Sequence, residues 1–196
     1  MYKLLQSTVR IAHQCLSLCL EPGSVAVDAT VGNGKDTLFL AQLVTPGGQI
    51  YGFDVQPAAI KATADLLAKH GFTDNVRLIN TGHENLRDFV TGQVDAVLFN
   101  LGYLPGGNHE IVTRAESTVF AVKEAVNLLK PGGVVLLVVY TGHPEGVRER
   151  DALEAVLRDL DKDRFCVGKL DFLNRENAPY LIIIGKSLQQ HGEDEM

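Results

Sequence analysis

The stretch "DATVGNGKDT" (residues 28–37) lies between two apolar runs, "SVAV" (24–27) and "LFLAQLV" (38–44). A glycine-rich turn between a strand and a helix offers backbone N–H groups and a helix N-terminus to a nucleotide cofactor. This turn opens with an acid, Asp28, and carries a second, Asp36, at the start of the following helix. Gly32 and Gly34 supply the first pair of a dinucleotide fingerprint, but Thr37 stands where its third glycine belongs. Two carboxylates repel a pyrophosphate and attract a cation. S-adenosylmethionine has no phosphate, one sulfonium and one α-ammonium, so the acidic turn favours it over NAD. Lys35 follows Gly34, yet the G-x-x-x-x-G-K-[ST] spacing of a phosphate-binding lysine loop is absent.

A second acid is placed to serve a nucleoside. Asp54 closes the next strand, 20 residues after Gly34, where a carboxylate accepts the ribose hydroxyls of NAD and of S-adenosylmethionine equally well. "NTGHENL" (80–86) follows the third strand, at the edge where an adenine ring would lie. Strand-end acids also act as helix caps, which is the purely structural alternative for these positions.

Outward from the turn, strands and helices alternate along the whole chain. Helical spacing of Leu4, Leu5, Val9, Ile11, Ala12, Leu16 and Leu20 predicts a helix over 3–20. Strands are expected at 24–29, 49–54, 75–80, 94–100, 134–140, 164–170 and 180–186. Helices are expected at 35–44, from Pro57 to about Lys69, from about Thr113 to Leu129, and over 146–160, with a short one after the third strand. "KPGG" (130–133) reads as the turn into the fifth strand. The first, fourth, fifth and seventh strands are nearly all apolar, as in a parallel sheet covered on both faces. No helical pattern joins the sixth strand to the seventh, so those two pair antiparallel. The expected fold is α/β: a doubly wound, seven-stranded, mostly parallel sheet with the last strand antiparallel, and ligands at the strands' carboxyl ends.

With 196 residues, 45% of them hydrophobic and 21% charged, the chain fits one soluble domain over 1–186, followed by an acidic disordered tail over 187–196 that ends "HGEDEM". No apolar run approaches the ~18–20 residues of a membrane span. Arg10, His13 and Gln14 interrupt the N-terminal stretch, which therefore does not read as a signal peptide; a cytoplasmic protein is expected. Cys15, Cys19 and Cys166 complete no zinc pattern, so no metal is expected. A net charge of −6 argues against indiscriminate coating of nucleic acid. It leaves room for an RNA-modifying enzyme with a local basic rim, for which Lys3, Arg10, Arg114, Arg148, Arg150 and Arg175 are the candidates.

The order D-x-x-x-G-x-G, acid after the second strand, "LKPGG" before the fifth and a closing antiparallel hairpin resembles the class I S-adenosylmethionine-dependent methyltransferases over residues 24–186. More narrowly, "DATVGNGKDT", "NLGYLPGG" (100–107), "YTGHPEG" (140–146) and "NRENAPY" (174–180) resemble the YtqB/MnmM family, which has also been described as rRNA methylases. The resemblance implies methylation of the exocyclic amine of 5-aminomethyl(-2-thio)uridine at the tRNA wobble position, with the tRNA anticodon region as partner. The residues by themselves support only a pocket of the S-adenosylmethionine type; a methyltransferase of rRNA or of a small amine, an NAD-linked oxidoreductase and a non-catalytic binding protein are the alternatives.

The same resemblance implies roles for individual residues. Asp28, Thr30, Gly32, Asn33 and Gly34 form the floor under the methionine moiety, and Asp36 and Thr37 fix the turn or touch the carboxylate side. Asp54 holds the ribose with Gln56 beside it. His83 stands where many such enzymes place an acid for the adenine amine, so Glu84 or a backbone group is the alternative contact. Asn100 and Leu101 open the slot where amine-methylating relatives carry an Asn/Asp-Pro-Pro-aromatic motif; Leu101 and Gly102 replace its two prolines. Asn100 would offer an acceptor to the target amine and Tyr103 would stack on the uracil. Tyr140, His143 and His109 are the candidates to take the ammonium proton, and His13 reads as a packed or capping residue or one bordering the site. A homodimer presenting two rims is compatible with so small a chain.

Overall fold

A computed structural model of the chain describes residues 5–102, 113–142 and 144–189. Seven strands form one sheet in the order β3-β2-β1-β4-β5-β7-β6. They are β1 (Val25–Asp28), β2 (Gln49–Phe53), β3 (Val76–Ile79), β4 (Val94–Asn100), β5 (Leu129–Val139), β6 (Phe165–Leu170) and β7 (Tyr180–Lys186). Strands β1 to β5 pair parallel; β7 runs antiparallel between β5 and β6. The chain leaves β1 for β2 on one side and returns to β4 on the other, so a crevice opens at the carboxyl ends of β1 and β4.

Alternation along the strands divides the core. On β5, Val135, Leu137 and Val139 face one layer, while Val134, Leu136 and Val138 face the other. The first layer is covered by α5 (Ala115–Leu128), α6 (Pro144–Arg158) and the short α4 (Leu86–Phe89), and the second by α1 (Thr8–Cys19), α2 (Lys35–Val44) and α3 (Pro57–Lys69). Burial on both sides explains why the middle of β4, residues 96–99, and the main run of β5, residues 134–139, carry no polar residue. The outermost strands are different: β6 is exposed over Cys166–Lys169. Among the described residues no helix is long and apolar enough to cross a membrane.

Three elements depart from the sequence expectation. Helix α1 starts at Thr8 rather than at residue 3, because the Ser7 hydroxyl accepts the Arg10 N–H at 3.3 Å and caps the helix there. The "KPGG" segment lies inside β5 rather than before it: the register jumps from Val94↔Leu129 to Ala96↔Val134, so the segment bulges while remaining in the ladder. Lys130 anchors the bulge on Asp95 at 2.7 Å, and Gly132 takes a φ of 80°. Helix α6 begins at Pro144, before the expected residue 146. Beyond β7 the Ser187 N–H still bonds to Arg164 O; the acidic end, 190–196, lies outside the described residues.

Candidate functional site

The acidic turn is built around an αL glycine. Gly34 caps α2 with φ 76°, and a β-carbon there would come within 2.6 Å of Thr63 Oγ1 on α3. Any other residue would meet both a backbone penalty and a clash. Asp28, at the end of β1, is fully buried behind this turn. Its carboxylate accepts the Thr30 N–H at 3.1 Å and the Thr37 hydroxyl at 2.6 Å. Burial, reinforced by the neighbouring Asp36, pushes its pKa up to about 7, against the opposing effect of those two hydrogen bonds.

In front of the turn lies a cavity of about 1000 Å³, large enough for a nucleoside cofactor and part of a second substrate. Of the residues expected to bind cofactor, Thr30, Gly32, Asn33, Asp36, Asp54, Gln56, His83, Glu84, Asn100 and Leu101 line it. Asp28, Gly34 and Thr37 do not; they form the layer behind and shape the wall. Among the proposed catalytic residues, Asn100 and Tyr140 line the cavity, whereas Tyr103 and His143, like His109, lie outside the described residues.

Asp54 links two sides of the site. Its Oδ2 accepts the Gly32 N–H at 2.8 Å and its Oδ1 the Gln56 N–H at 2.9 Å. Each oxygen keeps a lone pair that suits a vicinal diol. Deeper in, His83 is buried and stacks edge-on against Phe99. Burial pushes its imidazole below the ordinary value, although Glu84, an Ala29 backbone hydrogen bond and Asp54 pull the other way. Behind it the buried Glu149 of α6 accepts the hydroxyls of Thr118 at 2.5 Å and Thr113 at 3.1 Å. Thr113 in turn joins Gly102 by two hydrogen bonds, N–H to O at 3.1 Å and Oγ1 from the Gly102 N–H at 3.0 Å.

At the end of β4 the Asn100 N–H donates to Thr30 Oγ1 at 2.7 Å, and its side-chain Nδ2 donates to Asp36 Oδ2 at 2.9 Å. Asp36 Oδ1 meets His13 Nε2 at 2.7 Å, and the His13 ring lies flat on Phe39, centroids 3.9 Å apart. Helix-face spacing leaves His13 as a packed or capping residue or one bordering the site, and the structure places it at the border, on Asp36. The one usable signal was a histidine interrupting an otherwise apolar stripe. The expected basic rim is only partly assembled. Arg114 lines the cavity, joined by Lys35. Arg148 and Arg150 pair with Glu145 and Asp151 on α6, and Arg175 stacks on Phe172 while donating to the carbonyls of Leu5 and Gln6. Lys3 lies outside the described residues.

Comparison with known proteins agrees with this geometry. A family model described as "Putative rRNA methylase" matches residues 50–186. The chain is 38% identical to the chloroplastic tRNA (mnm(5)s(2)U34)-methyltransferase of Arabidopsis thaliana over 191 residues, covering 92% of this chain and 70% of that protein. A crystal structure described as a "putative rRNA-methylase" from Clostridium thermocellum superposes with a TM-score of 0.91 at 39% identity, covering 93% of this chain and 98% of that one. A Streptococcus mutans protein described as a "putative methyltransferase", crystallised with S-adenosylhomocysteine, superposes at 0.85 with 35% identity, covering 93% and 99%. With the fold, the acidic turn and these likenesses in agreement, the chain belongs to the family described as "Putative rRNA methylase", whose relatives include methyltransferases.

Proposed function

We propose that this protein is a cytoplasmic S-adenosylmethionine-dependent methyltransferase acting on the exocyclic amine of 5-aminomethyl(-2-thio)uridine at the wobble position of tRNA. The observation that carries the reading is one continuous cavity joining the ribose-competent Asp54 to the amide of Asn100 at the end of β4. The relative named as a tRNA (mnm(5)s(2)U34)-methyltransferase supports the choice of substrate.

The residues present fit the cofactor. Two acids on the cavity wall, Asp36 and Asp54, suit a cationic nucleoside and oppose a pyrophosphate. Asp54 and Gln56 would hold the ribose, His83 and Glu84 border the adenine side, and Thr30, Gly32 and Asn33 form the wall beside the methionine moiety. When bound, S-adenosylmethionine supplies a methyl group on a sulfonium that departs as a neutral thioether. The chain's own part is mainly positioning, since methyl transfer to a neutral amine needs alignment more than acid–base help. Asn100 Oδ1 accepts an N–H of the target amine and aims its lone pair, and Tyr140 closes the wall beside Gly102. Lys35 and Arg114 at the cavity attract RNA phosphate, which makes affinity fall as salt rises.

The test is nucleoside mass spectrometry of total tRNA from cells with and without the gene. Loss of the gene is expected to leave unmethylated 5-aminomethyl(-2-thio)uridine, cleared by the wild-type protein and not by Asp54→Ala. An unchanged wobble profile would overturn the substrate and turn attention to rRNA, the substrate named in the family description.

A further inference from the structure

The Asn100 amide is held from two directions by the acidic turn, its backbone by Thr30 Oγ1 at 2.7 Å and its side chain by Asp36 Oδ2 at 2.9 Å. A carboxylate can only accept, so the edge of Asn100 facing Asp36 must be its NH2. Rotating the amide by half a turn would set a carbonyl oxygen against a carboxylate oxygen at that distance, a repulsive contact. The carbonyl is therefore the edge left to the cavity that Asn100 lines.

Asp36 is itself held. Its other oxygen meets His13 Nε2 at 2.7 Å, which requires a hydrogen on Nε2, and the stack on Phe39 fixes the plane of the ring. Asp36 is 8% exposed, so this short chain of bonds competes little with water. Three elements meet in it: α1 through His13, α2 through Asp36 and Phe39, and β4 through Asn100.

We propose that Asp36, clamped by His13, is a positioning residue that locks the Asn100 amide with its carbonyl toward the substrate. This rests on the reading of Asn100 given above. The lock makes that end of the cavity a hydrogen-bond acceptor with negative charge behind it. A target bearing N–H groups is thereby favoured over one bearing a carboxylate or carbonyl at the same place. Asp36 acts through Asn100 and does not itself touch the reacting atoms.

A double-mutant cycle on the full chain tests this, using Asp36→Ala, Asn100→Ala and the pair. The readouts are kcat and KM with tRNA carrying 5-aminomethyl(-2-thio)uridine, and the dissociation constant of S-adenosylhomocysteine by calorimetry. Asp36→Ala is expected to lower kcat by about a hundredfold, the scale of a misaligned reacting group, with the KM for tRNA little changed; what the lost wall acid costs in S-adenosylhomocysteine affinity should be the same in both backgrounds. In the Asn100→Ala background the same substitution should cost almost nothing, because the group it positions is gone. An equal loss of kcat in both backgrounds, or no loss in either, overturns the positioning role. An Asn100→Ala protein with unchanged kcat overturns the assignment of Asn100 itself, and the proposal with it. Should Asp36→Ala fail to fold, Asp36→Leu, of similar size and without an acceptor, runs the same cycle and must show the same non-additivity.

Discussion

Asp28 is the residue where burial, charge and hydrogen bonding conflict most openly. It is fully buried, close to Asp36 and Asp54, and its pKa rises to about 7 from an ordinary 3.8. The folded protein thus keeps a proton that the unfolded chain has already released. The stability this group contributes is present below about pH 4 and is lost as pH climbs toward and past 7. Asp28→Asn keeps a carbonyl for the Thr30 N–H and offers an NH2 to Thr37 Oγ1, without a charge. Relative to wild type, that variant should gain stability between pH 5 and pH 8 in urea denaturation. Parallel curves for the two proteins across that range would sink the argument.

At the scale of elements, Glu149 fastens α6 to the far side of the site. Glu149 is 1% exposed and its carboxylate accepts two threonine hydroxyls, one from α5 and one from Thr113 just before that helix. Removing it leaves the fully buried Thr118 hydroxyl without its acceptor, while Thr113, at the cavity, can turn to water. Glu149→Ala should cost roughly 2–3 kcal/mol by denaturant titration. Glu154, five positions along the same helix, pairs with Lys169 and Arg158 at the surface. Its replacement by alanine should cost less than about 1 kcal/mol, because solvent screens such pairs. Equal costs for the two would mean that Glu149 is better compensated than its burial implies.

At the scale of the whole molecule, the reversal of strand order at β1 and β4 makes the crevice in which the cofactor fits, and binding there should be visible in global stability. S-adenosylhomocysteine at a hundred times its dissociation constant should stabilise the fold by about 2.7 kcal/mol and raise Tm by roughly 5–10 °C. NAD at the same concentration should leave Tm unchanged, since the acids of the turn oppose its pyrophosphate. A larger shift with NAD would restore the oxidoreductase alternative.

Local chemistry was enough to determine the architecture. Runs such as 94–100 and 180–186 are apolar because both faces of the sheet are covered, and both strands occupy those residues in the structure. Helices with clear punctuation, Lys35–Val44 and Pro57–Lys69, also begin and end where glycine, proline and polarity place them. Boundaries governed by a single hydrogen bond or a register shift were not legible: the Ser7 cap and the bulge at "KPGG" depend on partners that spacing does not encode. The acids and glycines of the turn marked out a cationic nucleoside pocket, because their chemistry is local. Only the tertiary structure decided which of them face the cavity. It buried Asp28 behind the wall and brought Asp36 to Asn100, 64 residues away in sequence. It also carried His13 from an amphipathic helix onto Asp36. Those outcomes depend on how α1 and α2 pack over the strands, and a contact between distant elements leaves no periodic trace in either one.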